Sequence, residues 1–150
     1  MTAIRAADPA DVPALLPLVA AYWRFEGIPG CDPGRVAPAL ARLLGEPRLG
    51  RGWIALADGA AVGYLLAVFV FSLEHAGMTA EIDELFVAPG RRGEGIGADM
   101  LRTALPALAA AGCRNLSLQL ARGNDRARAF YHRQGFTPRS RYDILERALP

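Results

Sequence analysis

The stretch from Trp53 to Val87 constrains the fold most: Trp53-Ile54-Ala55-Leu56, an Asp58-Gly59 pair, the apolar run Val62 to Phe71, a polar loop Ser72 to Met78, then Thr79 to Val87. An Asp-Gly pair between two apolar runs is a two-residue hairpin signal, because both turn positions need positive φ. Three consecutive antiparallel strands are therefore predicted, and a sheet of that kind must bury at least one face beneath helices. Immediately afterwards the chain reads Asp83-Glu84-Leu85-Phe86-Val87-Ala88-Pro89-Gly90-Arg91-Arg92-Gly93-Glu94-Gly95-Ile96-Gly97. A strand feeding a glycine turn and an amphipathic segment exposes unpaired N–H groups at the positive end of a helix, the ordinary setting for an anionic ligand. The bland alternative is a turn whose glycines serve only backbone conformation.

Around this block the periodicity changes. Ile4 and its neighbours form a short first strand, and Asp8 and Asp11 are candidate caps for a helix carrying Val12, Leu15, Leu16 and Val19, with a bend possible at Pro17. Asp32-Pro33 caps a second helix bearing Val36, Leu40, Leu43 and Leu44, closed by Gly45 and Pro47. Leu101, Leu105 and Leu108 give helical spacing with a kink predicted at Pro106, Asn115 to Leu120 alternates as a strand, Asp125 to Gln134 is helical, and Phe136 to Leu145 reads as a last strand. A meander followed by alternating helices and strands predicts a mixed α/β (α+β) sheet flanked by helices, not a doubly wound one.

At 150 residues the chain has the size of a single domain, 1–150, with one core. A net charge of +2 gives no polyelectrolyte surface, so no nucleic-acid partner is expected. Every basic residue apart from histidine is Arg. The two cysteines, Cys31 and Cys113, form neither a CxxC pair nor a His-containing metal set, so no metal site is indicated and a reducing cytoplasm is the expected setting. The N-terminus lacks a signal-peptide core and the longest apolar run, Ala60 to Phe71, is too short for a bilayer, so no membrane partner is expected.

The spacing Arg92-x-x-Gly95-x-Gly97 fits neither the dinucleotide fingerprint nor a P-loop, which would need Lys followed by Ser or Thr. Downstream, Asn124-x-x-Ala127-x-x-Phe130-Tyr131-x-x-x-Gly135-Phe136 sets Asn124 before a helix and two aromatics near its end. Read singly, these are a helix cap, a core residue and a hydrogen-bonded tyrosine. Together and in this order, the two segments resemble the GCN5-related N-acetyltransferase (GNAT) superfamily, most strongly from Glu81 to Phe136.

That resemblance implies a mixed, mostly antiparallel central sheet of six to seven strands with about four helices, and acetyl-CoA as co-substrate. Backbone groups of Phe86 and Val87 would hold the pantetheine arm. Arg91, Arg92, Gly93, Gly95, Ile96 and Gly97 would surround the diphosphate, Asn124 would touch the pantetheine or cap its helix, and Arg128 or Arg126 would reach the nucleotide. Tyr131 matches the family tyrosine that protonates the departing thiolate. Among the carboxylates ahead of the strand, Asp83 is favoured as base or ammonium anchor, then Glu84, then Glu81, the alternative being a wet strand end. Strand alternation puts Asp83 and Glu84 on opposite faces, so only one would meet the acceptor.

Tyr22, Trp23, Phe25, Glu26 and the Ser72 to His75 loop with Glu74 are candidates for the amine pocket, since aromatics beside carboxylates suit a cation. Equally, those aromatics could simply bury the end of the first helix. The implied activity is acetylation of a primary amine on a small molecule. A peptide or protein acceptor and a noncatalytic acyl-CoA-binding module are the alternatives, and a homodimer is possible through exposed strand edges.

Overall fold

In the computed structural model, which describes residues 1–150, the predicted meander forms with its hairpin at Asp58-Gly59. Strand β2 (Gly50–Ala57) pairs with β3 (Ala60–Ser72) across that turn, whose residues have φ of 50° and 79°. Strand β4 (Gly77–Val87) returns antiparallel to β3, and β1 (Thr2–Ala6) lies antiparallel on the other side of β2. β5 (Leu116–Leu118) joins β4 in parallel, giving one sheet in the order β1-β2-β3-β4-β5.

Two helices precede the meander. Asp8 accepts from the Ala10 N–H while Asp11 accepts from the Asp8 N–H, a reciprocal cap that starts the turn into α1 (Val12–Glu26). Asp32 caps α2 (Pro33–Gly45) by accepting from Gly34 N–H at 3.1 Å, with Pro33 where a missing N–H costs nothing. Helix α3 (Ile96–Ala110) follows the glycine turn and runs on through Pro106.

The apolar periodicities meet on opposite faces of the sheet. Val12, Leu15, Val19, Val36 and Leu40 from α1 and α2 pack with Ile54, Tyr64, Leu66 and Phe86. The buried Met100, Leu101, Ala104 and Leu108 of α3 serve the other face, where Met100 lies beside Gly63. Burying each large aliphatic or aromatic side chain is worth about 1.5–3 kcal/mol, so these two layers hold the sheet between them.

The chain divides into two compact units, Met1–Gln119 and Leu120–Pro150. The second contains α4 (Asp125–Arg133), capped by Asn124, which accepts from Ala127 N–H at 3.1 Å. The expected last strand at 136–145 does not form, and the sheet has five strands where six to seven were expected. The segment has the composition to explain it. Pro138 lacks a ladder donor, and residues 137–150 are exposed throughout, so no alternation of buried and exposed positions fixes a register.

Candidate functional site

Strand alternation fails at the carboxylates. In the β3–β4 ladder Leu66 stands opposite Glu84 and Ala67 opposite Ile82, which leaves Asp83 as an extra, unpaired residue. Such a bulge turns consecutive side chains away from strict alternation. Asp83 and Glu84 therefore line the same cavity, contrary to the expectation that they face opposite sides. That cavity, about 200 Å³, lies between the sheet and the two helices of the same face, with Val19, Trp23, Arg35, Leu40 and Leu66 among its walls.

The two acids differ in environment. Glu84 is 8% exposed and accepts two hydrogen bonds, from Trp23 Nε1 to Oε1 at 2.5 Å and from the Tyr64 hydroxyl to Oε2 at 2.7 Å. Burial pushes its carboxyl above the usual range, while the two donors pull the other way. Tyr64 is fully buried, and burial together with the neighbouring Glu84 charge raises its pKa far enough that the hydroxyl stays a donor. Asp83 reaches the solvent, yet the surrounding protein strips part of its hydration and raises its pKa as well. Glu84 is a buried carboxyl fixed by two donors; Asp83 is accessible to solvent.

Three residues along the same strand, the backbone becomes available. Ala88 N–H donates to Val62 C=O, so by the two-residue period of an antiparallel ladder Phe86 faces Tyr64 with both its peptide groups turned to β3. The 2.9 Å approach of a Cβ built on Gly63 to the Phe86 carbonyl oxygen agrees. Phe86 therefore does not offer its backbone to a ligand, as had been expected; Leu85 and Val87 point their N–H and C=O groups the other way. On that side β5 pairs β4 only through Ala80, Glu81 and Ile82. The Val87 carbonyl accepts from Arg92 Nε at 3.0 Å.

The glycine turn has the conformation that its sequence demands. Gly93 and Gly95 sit at φ of 86° and 82°, and a Cβ on either would meet nothing within 4 Å. Their glycines answer to backbone angle, not to crowding. Gly95 is the N-cap of α3 and no side chain caps that end, so the first N–H groups of the helix, at Ile96 and Gly97, have no capping side chain as acceptor. The two arginines are less free than the motif implies. Arg91 is paired with Glu94 at 2.9 Å, and Arg92 lies over the rings of Phe25 (5.0 Å) and Phe86 (5.3 Å), pinning the turn to the strand and to α1.

Of the expected acceptor residues, only Trp23 lines the cavity. Tyr22 packs edge-on against Phe86 at 5.9 Å, as part of the core layer. Glu26 closes α1 and Glu74 occupies the exposed β3–β4 turn, and neither lines the cavity. Glu84 lies seven strand residues beyond the Gly77 end of β4, roughly 20 Å from that turn. The sequence reading missed Tyr64, Arg35 and Leu85. Tyr64 hid in an apolar run, and Arg35 looked like the wet face of an amphipathic helix.

In the second unit Asn124 serves as a cap, and Arg128 Nη2 donates to the Arg122 carbonyl at 3.1 Å, bracing the turn before α4. The Tyr131 ring sits edge-on between Phe130 at 5.1 Å and Phe136 at 5.4 Å. These contacts fix the ring's plane within its unit.

The chain is similar to known proteins in sequence and in fold. Residues 16–136 match the acetyltransferase (GNAT) family. The chain is 30% identical over 147 residues to a probable N-acetyltransferase of Mycobacterium tuberculosis, covering 89% of this chain and 78% of that one. An uncharacterized N-acetyltransferase of Archaeoglobus fulgidus is 40% identical over 82 residues, 54% of this chain, and the match spans about half, 56%, of that relative's length. Among solved structures, an integron cassette protein from the mobile metagenome of Cole Harbour Salt Marsh superposes with a TM-score of 0.84 at 30% identity, over 98% of this chain and 91% of that one. The chain belongs to the GNAT acetyltransferase family. No helix is long and apolar enough to cross a membrane.

Proposed function

We propose that the chain is an acetyl-CoA-dependent N-acetyltransferase whose acceptor is the primary amine of a small molecule. The observation that carries this reading is the order of features along β4: the Asp83–Glu84 bulge, then the outward backbone of Leu85 and Val87, then the uncapped helix end at Gly95. An amine held at Asp83 and an extended thioester arm along Leu85 and Val87 would lie about two strand residues, ~7 Å, apart at the backbone, close enough for side chains to bring the reacting atoms together.

The residues fit the co-substrate. The N–H groups of Ile96 and Gly97, with the positive helix end behind them, suit a diphosphate, and the edge of β4 suits an amide-bearing chain added in strand fashion. Bound there, acetyl-CoA supplies an acyl group activated by a thiolate leaving group. Asp83 takes the proton from the incoming ammonium, directly or through one water, so that the nitrogen attacks as a free amine. Glu84 remains fixed by Trp23 and Tyr64 and adds negative potential that draws an ammonium into the cavity. Tyr131 is the proposed donor to the departing thiolate, a role that rests on its place in the family motif.

A cavity of about 200 Å³ falls below the roughly 300–1,000 Å³ of pockets that hold drug-sized ligands, which favours a small acceptor over a peptide. The purified protein, given acetyl-CoA and a panel of amino acids, polyamines, aminoglycosides and short peptides, should release free thiol with at least one small amine. Tight acetyl-CoA binding with no thiol release from any amine would instead identify a noncatalytic binding module.

A further inference from the structure

We propose that the acceptor is an amino acid with an apolar body, whose carboxylate is held by Arg35 while its ammonium faces Asp83 and Glu84; this rests on the acetyltransferase reading above. The cavity carries both signs of charge. Asp83 and Glu84 occupy its sheet wall and Arg35 its helical wall, and none of the chain's ion pairs joins Arg35 to either acid.

Arg35 is fixed at two points. Its Nη2 donates to the Gly30 carbonyl at 2.6 Å, and its guanidinium lies 5.8 Å from the centroid of the Trp23 ring. A guanidinium has five N–H donors, so an oriented fork remains for a carboxylate. Trp23 joins the two charged walls, since the same indole that stacks under Arg35 donates its N–H to Glu84. One small molecule bearing an ammonium and a carboxylate would span them.

The rest of the lining narrows the body of that molecule. Val19, Val36, Leu40, Leu43 and Leu66 offer no polar side chain, which selects an aliphatic or aromatic substituent. A polyamine would set a second ammonium against the Arg35 charge in the same cavity, an unfavourable pairing.

The test compares leucine with isopentylamine, the same body without the carboxylate, and with spermidine, following thiol release from acetyl-CoA. The wild-type protein should use leucine with a kcat/KM at least about 10-fold above isopentylamine, the order expected for a charge-assisted hydrogen-bonded pair. Arg35→Ala should bring that ratio near unity by raising the KM for leucine, and Arg35→Lys, which keeps the charge but not the fork, should restore part of it. An unchanged ratio in Arg35→Ala, or wild-type preference for isopentylamine or spermidine, overturns the amino-acid assignment and leaves the acetyltransferase reading standing. Absence of thiol release with all three and with the wider amine panel overturns both.

Discussion

Two parts of the same strand-to-helix segment are built by opposite means. At Asp83 and Glu84 the groups proposed to act are side chains, and Glu84 takes its setting from distant residues: Trp23 lies 61 positions away from it and Tyr64 lies 20. At Gly93 to Gly97 the groups proposed to hold a ligand are main-chain N–H dipoles, and their arrangement follows from local φ values. The first region is sensitive to packing, the second to backbone angle. Substitutions should therefore fail differently in the two places.

The largest effect is expected at Glu84. Glu84→Ala leaves the buried Tyr64 hydroxyl and the Trp23 N–H without their acceptor, a loss of about 3 kcal/mol that thermal or denaturant unfolding would register. Retention of full stability would mean that this region is no more dependent on packing than the turn. The pH dependence has a definite sign. Because burial raises the Glu84 pKa in the folded state, its contribution to stability is fully present below the ordinary carboxylate pKa and is lost as pH rises through the raised value. Glu84→Gln should flatten that decline.

Next comes Asp83→Asn, which should keep the fold, because the side chain reaches solvent, and should lower kcat/KM by about 100-fold through loss of the base. The wild-type acid limb of kcat/KM should lie above the usual carboxylate range, as the raised Asp83 pKa requires, and should disappear in the variant. An acid limb that persists unchanged in Asp83→Asn would assign the titration to another group.

A smaller effect is expected at Gly95→Ala. At φ of 82° the added Cβ meets no neighbour, so unfolding should shift by only about 1–2 kcal/mol of backbone strain. The KM for acetyl-CoA should rise about 10-fold while kcat is largely kept, because ground-state holding is the role proposed for the turn. Loss of kcat with unaltered KM would show the turn to be part of the chemistry.

Much of the framework is legible in the residues. Asp58-Gly59 places the hairpin, Asp32-Pro33 and Asp8 place the helix starts, and the glycines after Pro89 place the turn into α3, all through interactions spanning a few positions. The expected last strand does not form because its apolar residues, Phe136, Tyr142, Ile144 and Leu145, flank a polar run containing Pro138 and nothing buries one face of them. Asp83, which lines the cavity, is singled out in the sequence by the cost of a charge beside an apolar run. Arg35 and Tyr64 were not found, since nothing near them in sequence tells a wet helix arginine from a pocket arginine, or a core tyrosine from a carboxylate's partner.

By itself, then, the sequence determined the strand-turn-helix order, the backbone angles of the glycine turn and the presence of acids ahead of it, because these depend on local sterics and on the period of apolar residues. Only the tertiary structure decided that Asp83 and Glu84 share a cavity. One unpaired residue in the β3–β4 register breaks the alternation, and which residue is left unpaired depends on how two strands and the helices above them pack, not on either strand alone. The same packing brought Trp23 and Tyr64 to Glu84 and set Arg35 on the wall of the same cavity, and so left two adjacent carboxylates with different surroundings, one buried and one exposed.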